Sequence, residues 1–232
     1  QRARPRARRD DSPMTAVTST ARATSAQLDD GIDALAITLS RAQRAEVAAY
    51  LALLDKWNRS YNLTAIREPA RMITHHALDA LAVLPHLETQ SKAPRVLDVG
   101  TGGGIPGMLL AIARPDWQLT LLDANHKKGA FLTQAVIELG LANVAIAVSR
   151  VEDFRPPALF DIVISRAFAD LASFVEGATR HLSPNGRLYA MKGVMPDAEI
   201  AALPASVRVV AKTALVVPGL DAARSFVVMQ TQ

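Results

Sequence analysis

Arg95-Val96-Leu97-Asp98-Val99-Gly100-Thr101-Gly102-Gly103-Gly104-Ile105-Pro106-Gly107 decides how the rest of the chain is read. A short apolar run of β-branched and aliphatic residues predicts a buried strand. Four glycines within five residues then predict a loop whose backbone can approach a ligand closely. GMLLAIAR, from Gly107 to Arg114, opens a helix whose first N–H groups face the loop. Beyond it, short apolar runs alternate with helical segments. QLTLLD (118–123), KKGAFLTQAVIEL (127–139), VAIAVS (144–149), FDIVIS (160–165), a helix near Leu171 to His181, and GRLYAMK (186–192) follow in order. Strands alternating with helices imply right-handed crossovers and a mostly parallel sheet. The end differs: VRVVAKTALVV (207–217) and SFVVMQT (225–231) are joined by the turn-rich PGLDAAR without a helix. That predicts an antiparallel hairpin at the sheet edge. The total is an α/β fold with a seven-stranded, mostly parallel sheet and an antiparallel final strand.

Upstream, residues 27–90 read as a helical extension. Ser40 followed by Gln43 makes a capping box, and Val47, Tyr50, Leu51, Leu54 and Trp57 recur on one helical face. A second helix is predicted from about Pro69 to Leu87, with Pro69 in its first turn. Residues 1–26 contain almost no large apolar side chains and are predicted to be a disordered basic tail, with Met14 a candidate start. Residues 1–13 carry five arginines and two aspartates, whereas the remainder is nearly neutral, with 21 basic and 20 acidic residues. A nucleic-acid footprint on the body must therefore be a local patch. There are no cysteines, which excludes a disulfide scaffold and a cysteine nucleophile. No segment approaches the roughly 18–20 apolar residues of a membrane span, and no apolar run follows the N-terminal charge, so a cytoplasmic protein without membrane contact is expected.

The glycine loop narrows the ligand. Asp123 closes the second strand, where a carboxylate can accept both hydroxyls of a ribose. Gly102, Gly104 and Gly107 satisfy a dinucleotide pattern, while Gly100, Gly102 and Gly104 satisfy the GxGxG pattern of S-adenosyl-L-methionine (SAM) enzymes. Asp98 favours SAM: a carboxylate there is awkward beside a pyrophosphate and suits a sulfonium with a cationic amino-acid tail, directly or through the loop's hydrogen bonds. A nicotinamide dinucleotide is the alternative. After the fourth strand, Ile164-Ser165-Arg166-Ala167-Phe168 lacks the Asp/Asn-Pro-Pro-aromatic motif common in amino-group methyltransferases. Arg166 offers a fork of donors suited to a guanine edge or a phosphate. Phe168 could stack on a base or serve as a core aromatic. Lys127, Lys128, Arg150, Arg166, Lys192 and Arg224 fall at strand ends on the expected cofactor rim. His75 and His76 are adjacent, so they diverge on a helix and are expected to be buried or to cap rather than bind metal. No metal is expected.

The segments LLDKWNRSYNLTAI (53–66), HALDALAV (76–83), RVLDVGTGGGIPGMLLAIARPD (95–116), LLDANHKK (121–128), SRVEDF (149–154), FDIVISRAFADL (160–171), LYAMKG (188–193) and VPGLDAAR-SFVV (217–228) together resemble the ribosomal RNA small-subunit methyltransferase G family, also called the glucose-inhibited division protein B family. The resemblance implies a Rossmann-like SAM-dependent methyltransferase domain over 91–232 and N7 methylation of a guanine in 16S (small-subunit) ribosomal RNA. It implies SAM contacts at Gly100, Ile105, Asp123, Val151, Glu152 and Arg166, to which the motif adds Gly102. Arg166 is the candidate catalytic residue, and Lys127, Arg150, Lys192 and Arg224 match basic positions assigned to RNA. The expected partner is 16S ribosomal RNA or the small subunit, and the expected state a monomer. Three departures are visible. The loop reads GTGGG where many members have GTGPG, Ala80 stands where members often have Ser, and Ala124-Asn125-His126 replaces Ser-hydrophobic-Gly. A SAM enzyme acting on another RNA, a small molecule or a protein is the alternative, as is a non-catalytic RNA-binding assembly factor.

Overall fold

The computed structural model describes residues 13–232, with side chains described from residue 23 onward. The arginine-rich residues 1–12 of the expected tail lie outside the described residues. Helix α1 spans Pro13–Ala34, so the tail boundary expected at residue 26 falls inside a helix. Alanine is the strongest helix former, and Ala23 and Ala26 continue the helix that the buried Leu28 and Ile32 anchor.

Helix α2 spans Arg41–Tyr61, and its capping box forms as expected: Gln43 N–H donates to Ser40 Oγ, and Ser40 N–H to Gln43 Oε1. Val47, Tyr50, Leu51 and Leu54 are buried on one face. The helix predicted over Pro69 to Leu87 is instead four short pieces. These are α3 (Pro69–Met72), a π-helical turn (Ile73–Leu78), α4 (Asp79–Leu81) and a 3-10 turn (Leu84–His86). The apolar periodicity was satisfied by either winding, so it could not reveal the wider turn.

The sheet contains β1 (Arg95–Val99), β2 (Gln118–Asp123), β3 (Val144–Val148), β4 (Phe160–Arg166), β5 (Leu182–Lys192), β6 (Val207–Leu215) and β7 (Arg224–Thr231). Their order is β3-β2-β1-β4-β5-β7-β6. The first five are parallel, and β7 runs antiparallel to both β5 and β6. The final strand is thus inserted inside the sheet, and β6 takes the edge. Helices α5 (Gly107–Ala113), α6 (His126–Leu139) and α7 (Leu171–Ala178) are the crossovers, and the short α8 (Asp197–Ala201) precedes β6. Val96, Leu97, Ile162, Val163 and Leu188 are fully buried, as central parallel strands covered on both faces require.

The chain winds outward in opposite directions from β1 and β4. Ligands of open α/β sheets bind at this switch point, beyond the carboxyl ends of the strands. The helical extension closes over the same end. Tyr50, Leu54 and Leu63 share one apolar cluster with Met108, Leu109 and Leu132 of α5 and α6. The buried Tyr50 hydroxyl donates to the Gly103 carbonyl, tying α2 to the glycine loop. Burial pushes that hydroxyl's pKa far up, so it remains a donor.

Tyr50→Phe is expected to keep the packing and strand a carbonyl in a dry site. Urea denaturation should show a loss of about 1–3 kcal/mol, and an unchanged midpoint would contradict the role given to this bond.

Candidate functional site

The glycine loop is held from below by a carboxylate. Asp98 is fully buried on β1, and its Oδ2 accepts from Thr101 Oγ1 at 2.6 Å and from Gly107 N–H at 2.8 Å. One side chain therefore pins the start of the loop and the first residue of α5. Its other oxygen, Oδ1, has no partner among the described residues. Burial pushes the Asp98 pKa up to about 6, against the pull of the Thr101 and Gly107 hydrogen bonds. With no exposure, Asp98 acts on a ligand through the loop rather than by contact.

Asp123, at the end of β2, grips the loop from the side. Its Oδ2 accepts from Gly102 N–H at 2.9 Å, and its Oδ1 accepts from Asn125 N–H at 2.9 Å. Lys128 approaches the same carboxylate at 3.4 Å. Asn125 also caps α6, accepting from Lys127 and Lys128 N–H groups. The departure at 124–126 thus supplies its own helix cap.

Two glycines leave room for a ligand. Gly100 and Gly102 have φ of 68° and 63°, which favour glycine. An added Cβ at Gly100 would meet nothing within 4 Å, and at Gly102 only the Gly100 carbonyl at 4.0 Å. By contrast, a Cβ at Gly107 would strike Leu121 and the Asp98 carboxylate, so that glycine serves packing. Ile105 is buried in the cluster beneath the loop. The cradle over Gly100 and Gly102, with the Asp123 carboxylate beside it, fits a nucleoside whose ribose lies at the β2 end.

The topology brings the remaining expected residues to the same sheet end. Val151 and Glu152 follow β3. The Val151 carbonyl accepts from His181 Nε2, and the Glu152 carbonyl accepts from Arg155 and Arg180. Both carbonyls are spent on structure, leaving the exposed Glu152 carboxylate as the turn's polar handle. Across the switch point, Ser165 Oγ donates to the Val99 carbonyl at 2.8 Å. Phe168 is half-buried against Phe174, centroids 5.6 Å apart, which is the core role.

The basic residues divide into two groups. Lys127 and Arg150 are exposed, and their side chains have no ion-pair partner among the described residues. Lys192 pairs with Glu199 at 2.9 Å. Arg166 and Arg224 both converge on Asp79, a buried acid of the HALDALAV segment to which the sequence assigned no role. Arg166 Nη1 lies 3.2 Å from Asp79 Oδ2 and 2.9 Å from the His75 carbonyl. Arg224 Nε lies 2.9 Å from Asp79 Oδ1. The guanidinium expected to face an acceptor is thus partly committed. The only sequence signal for Asp79 was an acid amid apolar residues, where an unpaired charge is costly.

His76 is buried as expected. Its Nδ1 lies 2.9 Å from the His75 carbonyl and its Nε2 2.8 Å from Thr64 Oγ1, which itself accepts from Ile66 N–H. Arg166 Nη2 also lies 3.5 Å from Nδ1, and because a guanidinium only donates, the neutral ring is the form that fits there. Burial and the nearby Arg166 charge push its pKa down to about 4. Among the described residues there is no cluster of three His, Asp or Glu side chains that could hold a metal, and no helix long and apolar enough to cross a membrane.

A glycine loop on β1, an acid ending β2 and an inserted antiparallel seventh strand define a Rossmann-like SAM-dependent methyltransferase. Solved structures agree on the fold. The glycopeptide N-methyltransferase MtfA complexed with SAM matches with a TM-score of 0.57 at 13% identity, covering 68% of this chain and 95% of that one. Residues 43–227 match the family model described as rRNA small subunit methyltransferase G. The chain is 54% identical over 202 residues to the ribosomal RNA small subunit methyltransferase G of Laribacter hongkongensis (strain HLHK9), covering 87% of this chain and 95% of that relative. It is 51% identical over 206 residues to the protein of the same name from Burkholderia pseudomallei (strain 1106a), covering 87% and 89%. The chain belongs to the rRNA small subunit methyltransferase G family.

Because its folded pKa lies below the ordinary 6.5, His76 contributes stability that is complete above pH 6.5 and lost as pH falls towards 4. Asp98 works in the opposite sense, favouring the fold below about pH 4 and losing that contribution as pH rises through 6. Urea denaturation of wild type and His76→Gln between pH 4 and 7 cancels the Asp98 contribution in the difference. Wild type should lose about 3 kcal/mol more than the variant across this range, and parallel profiles would contradict a neutral buried His76.

Proposed function

We propose that the chain, acting as a cytoplasmic monomer, transfers the methyl group of SAM to N7 of one guanine in 16S ribosomal RNA of the small subunit. The observation that carries this reading is the open cradle over Gly100 and Gly102 beside Asp123, in a chain of this family. Gly100, Gly102, Ile105, Asp123, Val151 and Glu152 hold the donor. When bound, SAM supplies an electrophilic methyl group on a positively charged sulfur.

The acceptor sets modest chemical demands. Neutral guanine carries a lone pair and no proton at N7, so attack needs no general base. What the protein must supply is alignment, with reacting atoms about 3 Å apart and in line. Arg166, ending β4 beside the switch point, supplies it by holding the base edge or its phosphate with the donors that Asp79 and His75 leave uncommitted. Positive charge passes from sulfur to guanine, so the acids that fix the loop stay buried or flank the donor rather than the acceptor. Lys127 and Arg150 are the first RNA contacts, because their charges are unpaired within the described chain. Arg224 offers the donors that Asp79 leaves uncommitted, and Lys192 joins only by exchanging Glu199 for a phosphate.

Small subunits lacking the modification, incubated with the protein and SAM, should give borohydride–aniline strand scission at a single guanine. Arg166→Ala should abolish that scission while donor binding falls only modestly. Methyl incorporation without scission would contradict N7 as the acceptor, and full activity of Arg166→Ala would contradict the alignment role.

A further inference from the structure

Among the described residues, Asp79 is the one acid that touches both Arg166 and Arg224, and it reaches them from outside the sheet. The geometry points to Asp79 as a positioning residue that fixes Arg166 and Arg224 as a pair for the acceptor, an inference that rests on the function proposed above. Its carboxylate is 2% exposed, and each oxygen serves a different guanidinium, at 3.2 and 2.9 Å. The two arginines come from β4 and β7, with β5 between them. Two like charges held this close repel, and a fixed negative charge between them offsets that repulsion. One carboxylate therefore sets both their spacing and their orientation.

The π-helical turn supplies the second anchor. The Asp79 N–H bonds the Thr74 and His76 carbonyls, bypassing the His75 carbonyl four residues back that an α-helix would use. The His75 carbonyl instead accepts from Arg166 Nη1 at 2.9 Å. The wider turn thus does two things at once. It releases a backbone acceptor for Arg166 and carries the Asp79 carboxylate to the same guanidinium. A π turn inserted into a helix is uncommon and is found frequently at functional sites. Thr64, through His76, steadies this turn from the YNLTAI segment. Arg166 is consequently held in one place before any acceptor arrives, which is the condition for in-line transfer.

The test uses the full chain, SAM and small ribosomal subunits lacking the modification, with transfer rates at saturating donor and acceptor. Asp79→Asn should lower the rate about 10- to 100-fold, the scale of loss expected from roughly 1 Å of misplacement. Binding of S-adenosylhomocysteine, measured by calorimetry, should be unchanged. In an Arg166→Lys background the same change should cost much less, because both variants remove one alignment. Losses that multiply across the two backgrounds would assign Asp79 a merely structural role and overturn the inference. Asp79→Glu preserves the buried charge and covers the case in which Asp79→Asn does not fold. It should transfer slowly, and a wild-type rate would show that charge balance suffices and overturn the inference. Wild type that transfers nothing to subunits overturns the acceptor reading itself, whereas active wild type with a fully active Asp79→Asn overturns only this step.

Discussion

A fully buried carboxylate under a loop of glycines is the constraint on which the site depends. Asp98 accepts from Thr101 and Gly107, and so fixes both ends of the turn between β1 and α5. An ionised group in such a place needs its hydrogen bonds, since its desolvation is otherwise uncompensated. The loop cannot relax without stranding that charge. Asp123 adds a second tether from β2, and Tyr50 a third from α2. Tethers from β1, β2 and α2 thus hold a stretch whose glycines would otherwise give it great freedom. That is how the GTGGG loop is kept in one shape.

The same tethering explains why the helical extension is more than an appendage. Its apolar face shares a core with α5 and α6, and Tyr50 and Asp79 bond groups at the carboxyl ends of the strands. Gln43 donates to the carbonyls that end α5. Asp79 joins β4 to β7. The glycine loop and the arginine pair therefore sit on one rigid frame, on opposite flanks of the switch point.

Most of the sheet was legible because its signals are local. RVLDV, QLTLLD, VAIAVS and FDIVIS are short apolar runs closed by polar or glycine residues, and their order follows from the handedness of crossovers. The hairpin was legible from the missing helix between VRVVAKTALVV and SFVVMQT, and Asp123 from its place at a strand end. What escaped was tertiary. Asp79 meets Arg166 and Arg224 at sequence separations of 87 and 145 residues, which no window detects. The π turn escaped because ITHHAL carries no breaker to mark a change of winding. Glu152 came only from the resemblance, and no local pattern shows that its carbonyl is taken by Arg155 and Arg180. The α1 boundary escaped because a lack of large apolar residues suggested disorder, whereas alanine favours helix without them.

Donor uptake tests the account most directly. Equilibrium dialysis against labelled S-adenosylhomocysteine should show one molecule bound per chain, displaced by unlabelled SAM and unaffected by NAD. No uptake, or displacement by NAD, would contradict a loop built by Asp98 and Asp123 to cradle a sulfonium nucleoside.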